Sequence, residues 1–201
     1  AFVIGEKFIG DSDVCLILGD NIFHSDTFIN KYLIPSFSSG SPTVFGCHVG
    51  DPERYGVVEF DKDQNVLSIE EKPLSPKSNY AVTGLYVFDK NAPSIAKNLQ
   101  PSDRGETEIV DMLDYYLKHN NLKVELLGRG VSWLDTGTHK SLHEASSYIE
   151  VLENRQGLKI ACLEEIAFQK GYISKDKLID LAKAMKKNEY GQYLIKVAYE
   201  N

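Results

Sequence analysis

The five residues Val14-Cys15-Leu16-Ile17-Leu18 are apolar without a break and stop at Gly19-Asp20-Asn21. A run so short, closed by turn residues, reads as a strand, and its lack of alternation predicts a central strand covered on both faces. Covering both faces takes a layer of structure on each side, so an α/β core follows. Asp20 then sits just past the strand's carboxyl end, where open α/β folds place their ligands. A carboxylate at that position suits Mg²⁺, which takes one or two carboxylates alongside phosphate oxygens. The same residues also suit an ordinary turn, because Asp and Asn hydrogen-bond their own backbone.

The pattern continues as a mixed α/β chain. Residues 27–37 read as a helix, with Phe28, Ile29, Leu33 and Phe37 on its apolar face, and residues 43–49 as a second strand. Strands follow over 57–60, 66–69 and 81–88, with the polar turn Asp61-Lys62-Asp63-Gln64-Asn65 marking a hairpin. Hairpins beside covered strands imply a mixed sheet rather than a pure βαβ repeat. A helix over 106–118, a strand over 123–127 and a helix from about 140 to 153, capped by Thr138, come next. Residues 1–156 are expected to form the α/β domain, and 157–201 a small helical appendage with Ser174 capping one of its helices.

The formal charge of −7 leaves no basic stripe, which argues against nucleic acid as a partner. A phosphorylated small molecule needs only local cationic groups, so it stays open. Cys15, Cys47 and Cys162 show no CxxC spacing. The first and second are expected as buried thiols in strands, and a reducing, cytoplasmic setting fits. No apolar run approaches bilayer length, so no membrane partner is expected.

Further candidates for chemistry are scattered. Asp135, in "GVSWLDTGTH", lies between a strand-like run and a capped helix, and is a possible second carboxylate for the cation at Asp20. Helix entry explains an Asp there equally well. Glu71 and Lys72, in "EEKP", pair an acceptor for sugar hydroxyls with a point charge for phosphate, unless they form a solvated cluster. Arg104 precedes Gly105 and a helix start, where it could grip a phosphate bidentately, although taken alone it reads better as a surface arginine in a polar loop. Gly56, in "RYGVVEF", permits close backbone approach or simply a tight turn. His139 and His143 are four apart but not in HExxH, and read as structural or solvent-exposed.

The order of these segments carries more than any one of them. "LILGDNIF", "DPERYGVVEFD", "SIEEKPLSPKSNYAVTGLYVFD", "PSDRGETEIVDM" and "GRGVSWLDTGTHKSLHEAS" occur in sequence, and "ENRQGLKIACLEEIAFQKGYI" and "KNEYGQYL" follow. Together they closely resemble the glucose-1-phosphate thymidylyltransferases over essentially all 201 residues. The resemblance implies a Rossmann-like nucleotidyltransferase fold, Mg²⁺ as cofactor, and dTTP and glucose 1-phosphate as substrates. The products are dTDP-glucose, which enters dTDP-rhamnose synthesis, and pyrophosphate. It also implies a homo-oligomer, typically a tetramer. Asp20 and Asp135 match the metal-binding pair. Gly56, Glu71, Lys72 and Arg104 match positions contacting the sugar phosphate or product, and Val82 and Tyr86 match the sugar pocket. No general base is called for, since a phosphate monoester is already anionic near neutral pH.

The family's glycine-rich "GGxGTRL" segment, which holds the triphosphate, does not occur in these residues. The chain also opens on Ala1, within an apparent helix, without an initiator Met. It is therefore expected to be an N-terminally truncated, C-terminal portion, inactive when isolated. Two other readings compete. A metal-dependent glycosyltransferase using a nucleotide-sugar donor shares the fold type, but its usual DxD pair is absent, since Asn21 and Ile22 follow Asp20. The other is a non-catalytic sugar-phosphate-binding domain.

Overall fold

The computed structural model describes residues 1–101, 105, 107–119 and 121–200. It divides into two compact units, Ala1–Ala145 and Ser146–Asn201. The division falls within the helix His139–Gln156.

The first unit opens with α1 (Phe2–Ile9), β1 (Val14–Ile17) and β2 (Asn21–His24). A π-helical turn, Ile29–Leu33, runs into α2 (Ile34–Ser38), which carries Pro35 near its start. The strands β3 (Thr43–His48), β4 (Gly56–Phe60), β5 (Val66–Glu71) and β6 (Tyr80–Phe88) follow, then α3 (Ala92–Asn98) and α4 (Ile109–Lys118). The unit ends with β7 (Lys123–Leu127), β8 (Ser132–Asp135) and the start of α5 (His139–Gln156). The backbone N–H of Ser141 bonds the Thr138 hydroxyl while that of Thr138 bonds the Ser141 hydroxyl, a reciprocal cap of the kind expected at this helix start.

The main sheet is mixed and has six strands. Its order is β5-β4-β6-β3-β7, and β1 also pairs with β6. Among the described residues, only β3 and β7 pair in parallel. The strand β6 organises the rest: β3 pairs along one edge, from Tyr80 to Val87. The other edge is shared, with β4 meeting it at Ala81 and β1 meeting it from Leu85 to Phe88. Between them, at Val82–Gly84, no strand among the described residues lies beside the edge. The β4–β5 hairpin turns at Asp61, whose carboxylate accepts the N–H groups of Asp63 and Asn65. The strands β2 and β8 form a separate two-stranded ribbon.

One face of the sheet packs Val44, Val58, Phe88, Met112 and Leu113, all essentially fully buried, between the strands and α4. The other face gathers Phe45, Leu85 and Val87 with Phe28 and Tyr32. The continuous apolar run at 14–18 is not covered on both sides. Val14 and Leu16 pack against the first core, whereas Ile17 is 55% exposed and Cys15 is an exposed thiol. Among the described residues, nothing covers that face of β1. Cys47 is half-buried and Cys162 buried.

The second unit contains α6 (Leu163–Gln169), α7 (Lys175–Ala184) and α8 (Glu189–Glu200). Ser174 caps α7 by accepting the N–H of Lys177. Leu178, Ala182, Leu194 and Ala198 form its fully buried core. A Cβ on Gly191 would lie 2.2 Å from the Met185 carbonyl oxygen, so the helix start approaches Met185 more closely than any side chain allows.

Candidate active site

The gap along β6 is the floor of a cavity of about 650 Å³. Asp20, Gly56, Glu71, Lys72, Val82, Tyr86 and Asp135 all line it. Residues separated by more than a hundred positions thus converge on one space. Arg104 lies outside the described residues.

Asp20 is carried at the tip of a tight turn, closed by the Asn21 N–H bonding the Leu18 carbonyl at 3.1 Å. Its backbone is tied to the other carboxylate's strand, because Thr136 donates its N–H to the Asp20 carbonyl at 2.8 Å and its hydroxyl at 3.1 Å. In the ribbon, Asn21 stands opposite Asp135. The two aspartates are therefore held together by backbone pairing. A Cβ placed on Gly137 would lie 3.6 Å from Asp135 Oδ2 and 4.0 Å from Asp20 Oδ2, so both oxygens face the space that glycine leaves open.

Both carboxylates also have protein donors, and Asp135 Oδ2 itself accepts the Gly137 N–H at 3.4 Å. Asn21 Nδ2 donates to Asp20 Oδ1 at 2.8 Å, and the Tyr55 hydroxyl donates to Asp135 Oδ1 at 2.9 Å. The Arg54 guanidinium lies 3.8 Å from Asp135 Oδ2 and is shared with Asp51 at 2.7 Å. Burial and then the bond to Asp135 push the Tyr55 hydroxyl up to about 12, so it is a donor at any physiological pH. Burial, followed by the charges of Glu71 and Asp20, pushes the Tyr86 hydroxyl up as well.

The opposite wall is built by the β4–β5 pair. Gly56 stands across from Glu71, and a Cβ on it would meet Glu71 Oε2 at 3.2 Å and Val82 Cβ at 3.8 Å. Glycine therefore keeps that carboxylate close to the strand. Lys72 follows with φ of 47°, a left-handed backbone that a lysine adopts at a cost of about 1 kcal/mol. The Lys72 N–H bonds the Tyr55 carbonyl at 2.9 Å, which fixes this bend. The ammonium lies 3.6 Å from Glu71, both side chains being open to the cavity and solvent.

Asn21, Trp133 and Gly84 were not singled out by sequence, yet they form the cavity's tightest junction. Asn21 Oδ1 accepts the Gly84 N–H at 3.0 Å and the Trp133 indole N–H at 2.7 Å. A Cβ on Gly84 would sit 2.5 Å from Asn21 Nδ2, so glycine is what admits the amide. On this edge the Gly84 N–H is thus satisfied by a side chain, while its carbonyl accepts the Leu18 N–H at 2.8 Å. "DN" and "TG" in sequence give no hint that they meet.

The donor set determines what the site can hold. Two hard oxygens facing one space suit a small hard cation that completes its shell with water and phosphate oxygens. Among the described residues, no group of three or more His, Cys, Asp or Glu is arranged to bind a metal by itself. His139 and His143 are exposed on α5 and play no part in the cavity.

Residues 1–151 match the model of the nucleotidyl transferase family. A glucose-1-phosphate thymidylyltransferase from Neisseria meningitidis is 53% identical over 98% of this chain and 68% of its own length. One from Xanthomonas campestris is 50% identical over 98% of this chain and 67% of its own. A Bacillus anthracis structure bearing the same enzyme name, in complex with sucrose, is 39% identical with a TM-score of 0.64. It covers 73% of this chain, which spans 58% of that one.

Proposed function

Because this chain belongs to the nucleotidyl transferase family, and within it to the glucose-1-phosphate thymidylyltransferases, we propose that the whole protein transfers a thymidylyl group from dTTP to glucose 1-phosphate. The products are dTDP-glucose and pyrophosphate. The observation that carries this reading is the convergence of Asp20, Asp135, Glu71 and Lys72 on one cavity. It joins a carboxylate pair suited to a phosphate-bound cation to a carboxylate and an ammonium suited to a sugar phosphate.

In the proposed reaction a phosphate oxygen of glucose 1-phosphate attacks the α-phosphorus of dTTP, and pyrophosphate departs. Such transfers depend mainly on positioning and on stabilising charge. Asp20 and Asp135 would hold magnesium, which would supply neutralisation of phosphate charge and help orient the phosphates. Lys72 and Arg54 attract the phosphate of the sugar, and Arg104 is proposed to join them. Glu71 accepts hydrogen bonds from sugar hydroxyls, while Gly56 and Val82 shape the sugar pocket with Tyr86 behind them. No residue is asked to remove a proton, because the attacking phosphate is already an anion.

Production of dTDP-glucose for dTDP-rhamnose synthesis, a cytoplasmic setting and homo-oligomeric assembly belong to the same proposal. No helix among the described residues is long and apolar enough to cross a membrane. The test is pyrophosphate release by the full-length protein with glucose 1-phosphate, comparing dTTP with UTP at equal concentration. Turnover with dTTP supports the assignment. Turnover with UTP and none with dTTP contradicts it.

A further inference from the structure

Tyr55 faces the site in two directions. Its hydroxyl donates to Asp135 Oδ1 at 2.9 Å, and its carbonyl accepts the Lys72 N–H at 2.9 Å. The ring is held as well: its centroid lies 5.2 Å from that of Trp133, edge to face, and the Arg54 guanidinium lies 5.1 Å from it. The phenol therefore cannot swing away from the carboxylate without losing both neighbours.

A free carboxylate on a ribbon end turns about its last bond, and either oxygen can face a cation. Here the choice is removed. Tyr55 occupies Oδ1 with a bond of 2.9 Å, and Oδ2 turns to the side of Gly137, whose N–H donates to it at a longer 3.4 Å and where Asp20 Oδ2 also lies. Asn21 does the same for Asp20 by occupying its Oδ1. Partners of this kind set ligand orientation, and their loss typically lowers metal affinity by about 10- to 100-fold.

We infer that Tyr55 is a positioning residue, whose hydroxyl locks the Asp135 carboxylate with Oδ2 facing the cation position while its backbone independently sets Lys72. This rests on the reading of Asp20 and Asp135 as a cation-binding pair. The two functions of Tyr55 are separable, because Tyr55→Phe deletes the hydroxyl and keeps the ring and the carbonyl.

The experiment is a titration of full-length wild type, Tyr55→Phe and Asp135→Asn with Mn²⁺ alone, reading free Mn²⁺ by electron paramagnetic resonance. The KM for glucose 1-phosphate and the Tm of each protein are measured beside it. Expected is a loss of Mn²⁺ affinity of about 10-fold in Tyr55→Phe, with KM for glucose 1-phosphate within about twofold of wild type, because the Lys72 bond survives. Unchanged Mn²⁺ affinity in Tyr55→Phe, with affinity lost in Asp135→Asn, overturns the positioning role alone. A lower Tm with unchanged Mn²⁺ affinity also overturns it, since a purely structural tyrosine behaves that way. Equal Mn²⁺ affinity in wild type and Asp135→Asn overturns the cation reading itself and the inference with it.

Discussion

Replacing Gly84 with alanine probes the junction that closes the β6 gap. The new Cβ would lie 2.5 Å from Asn21 Nδ2, 2.6 Å from its Cγ and 2.7 Å from its Oδ1. No rotation that keeps the amide in place relieves three such contacts, so Asn21 must leave. Three hydrogen bonds go with it: from Gly84 N–H, from the Trp133 indole and to Asp20. At about 1 kcal/mol net each, their loss costs roughly 3 kcal/mol. Alanine also restricts the unfolded chain, which returns about 0.4–1 kcal/mol. The expected net destabilisation is roughly 2 kcal/mol. With a urea m-value of about 2 kcal/mol/M, the unfolding midpoint should fall by about 1 M. Circular dichroism measures it. The chain has a single tryptophan, Trp133, so its emission reports the lost indole bond directly. An unchanged midpoint with unchanged emission would show that Asn21 is not a clamp.

Other outcomes follow from the same geometry. Lys72→Gly should remove the cost of a left-handed lysine and raise stability by up to about 1 kcal/mol. It should also raise the KM for glucose 1-phosphate, and Lys72→Ala should raise KM without the stability gain. Tyr55 titrates at about 12 in the folded chain, against about 10 when unfolded. Its neutral form therefore contributes stability in full below about pH 10, lost as pH rises through 12. Urea unfolding across that window should show Tyr55→Phe losing less stability than wild type, and parallel curves would refute the burial argument.

Much of the fold was legible because its signals are local. The hairpin at Asp61, the Thr138 and Ser174 caps and the strands from 43 to 88 follow from turn chemistry and apolar spacing. What failed depended on distant partners. Five apolar residues at 14–18 read as doubly covered, yet only Val14 and Leu16 face a core, because coverage belongs to neighbouring elements and not to the strand. The strand Asn21–His24 went unread because its pairing with residues 132–135 spans more than a hundred positions. In the site, charged residues stood out and their supports did not. Asp20, Glu71, Lys72 and Asp135 are conspicuous in sequence, whereas Asn21, Gly84 and Trp133 matter only through contacts that folding creates.

The central claim is that Asp20 and Asp135 hold the cation for nucleotidyl transfer. Asp135→Asn and Asp20→Asn keep side-chain shape and remove a charged ligand. Rates of dTDP-glucose formation by the full-length protein should be measured across a magnesium series, with Tm recorded for each variant. The account predicts that each substitution lowers turnover by about 100-fold or more at low magnesium, with Tm close to wild type. Wild-type turnover at low magnesium in either variant would contradict it.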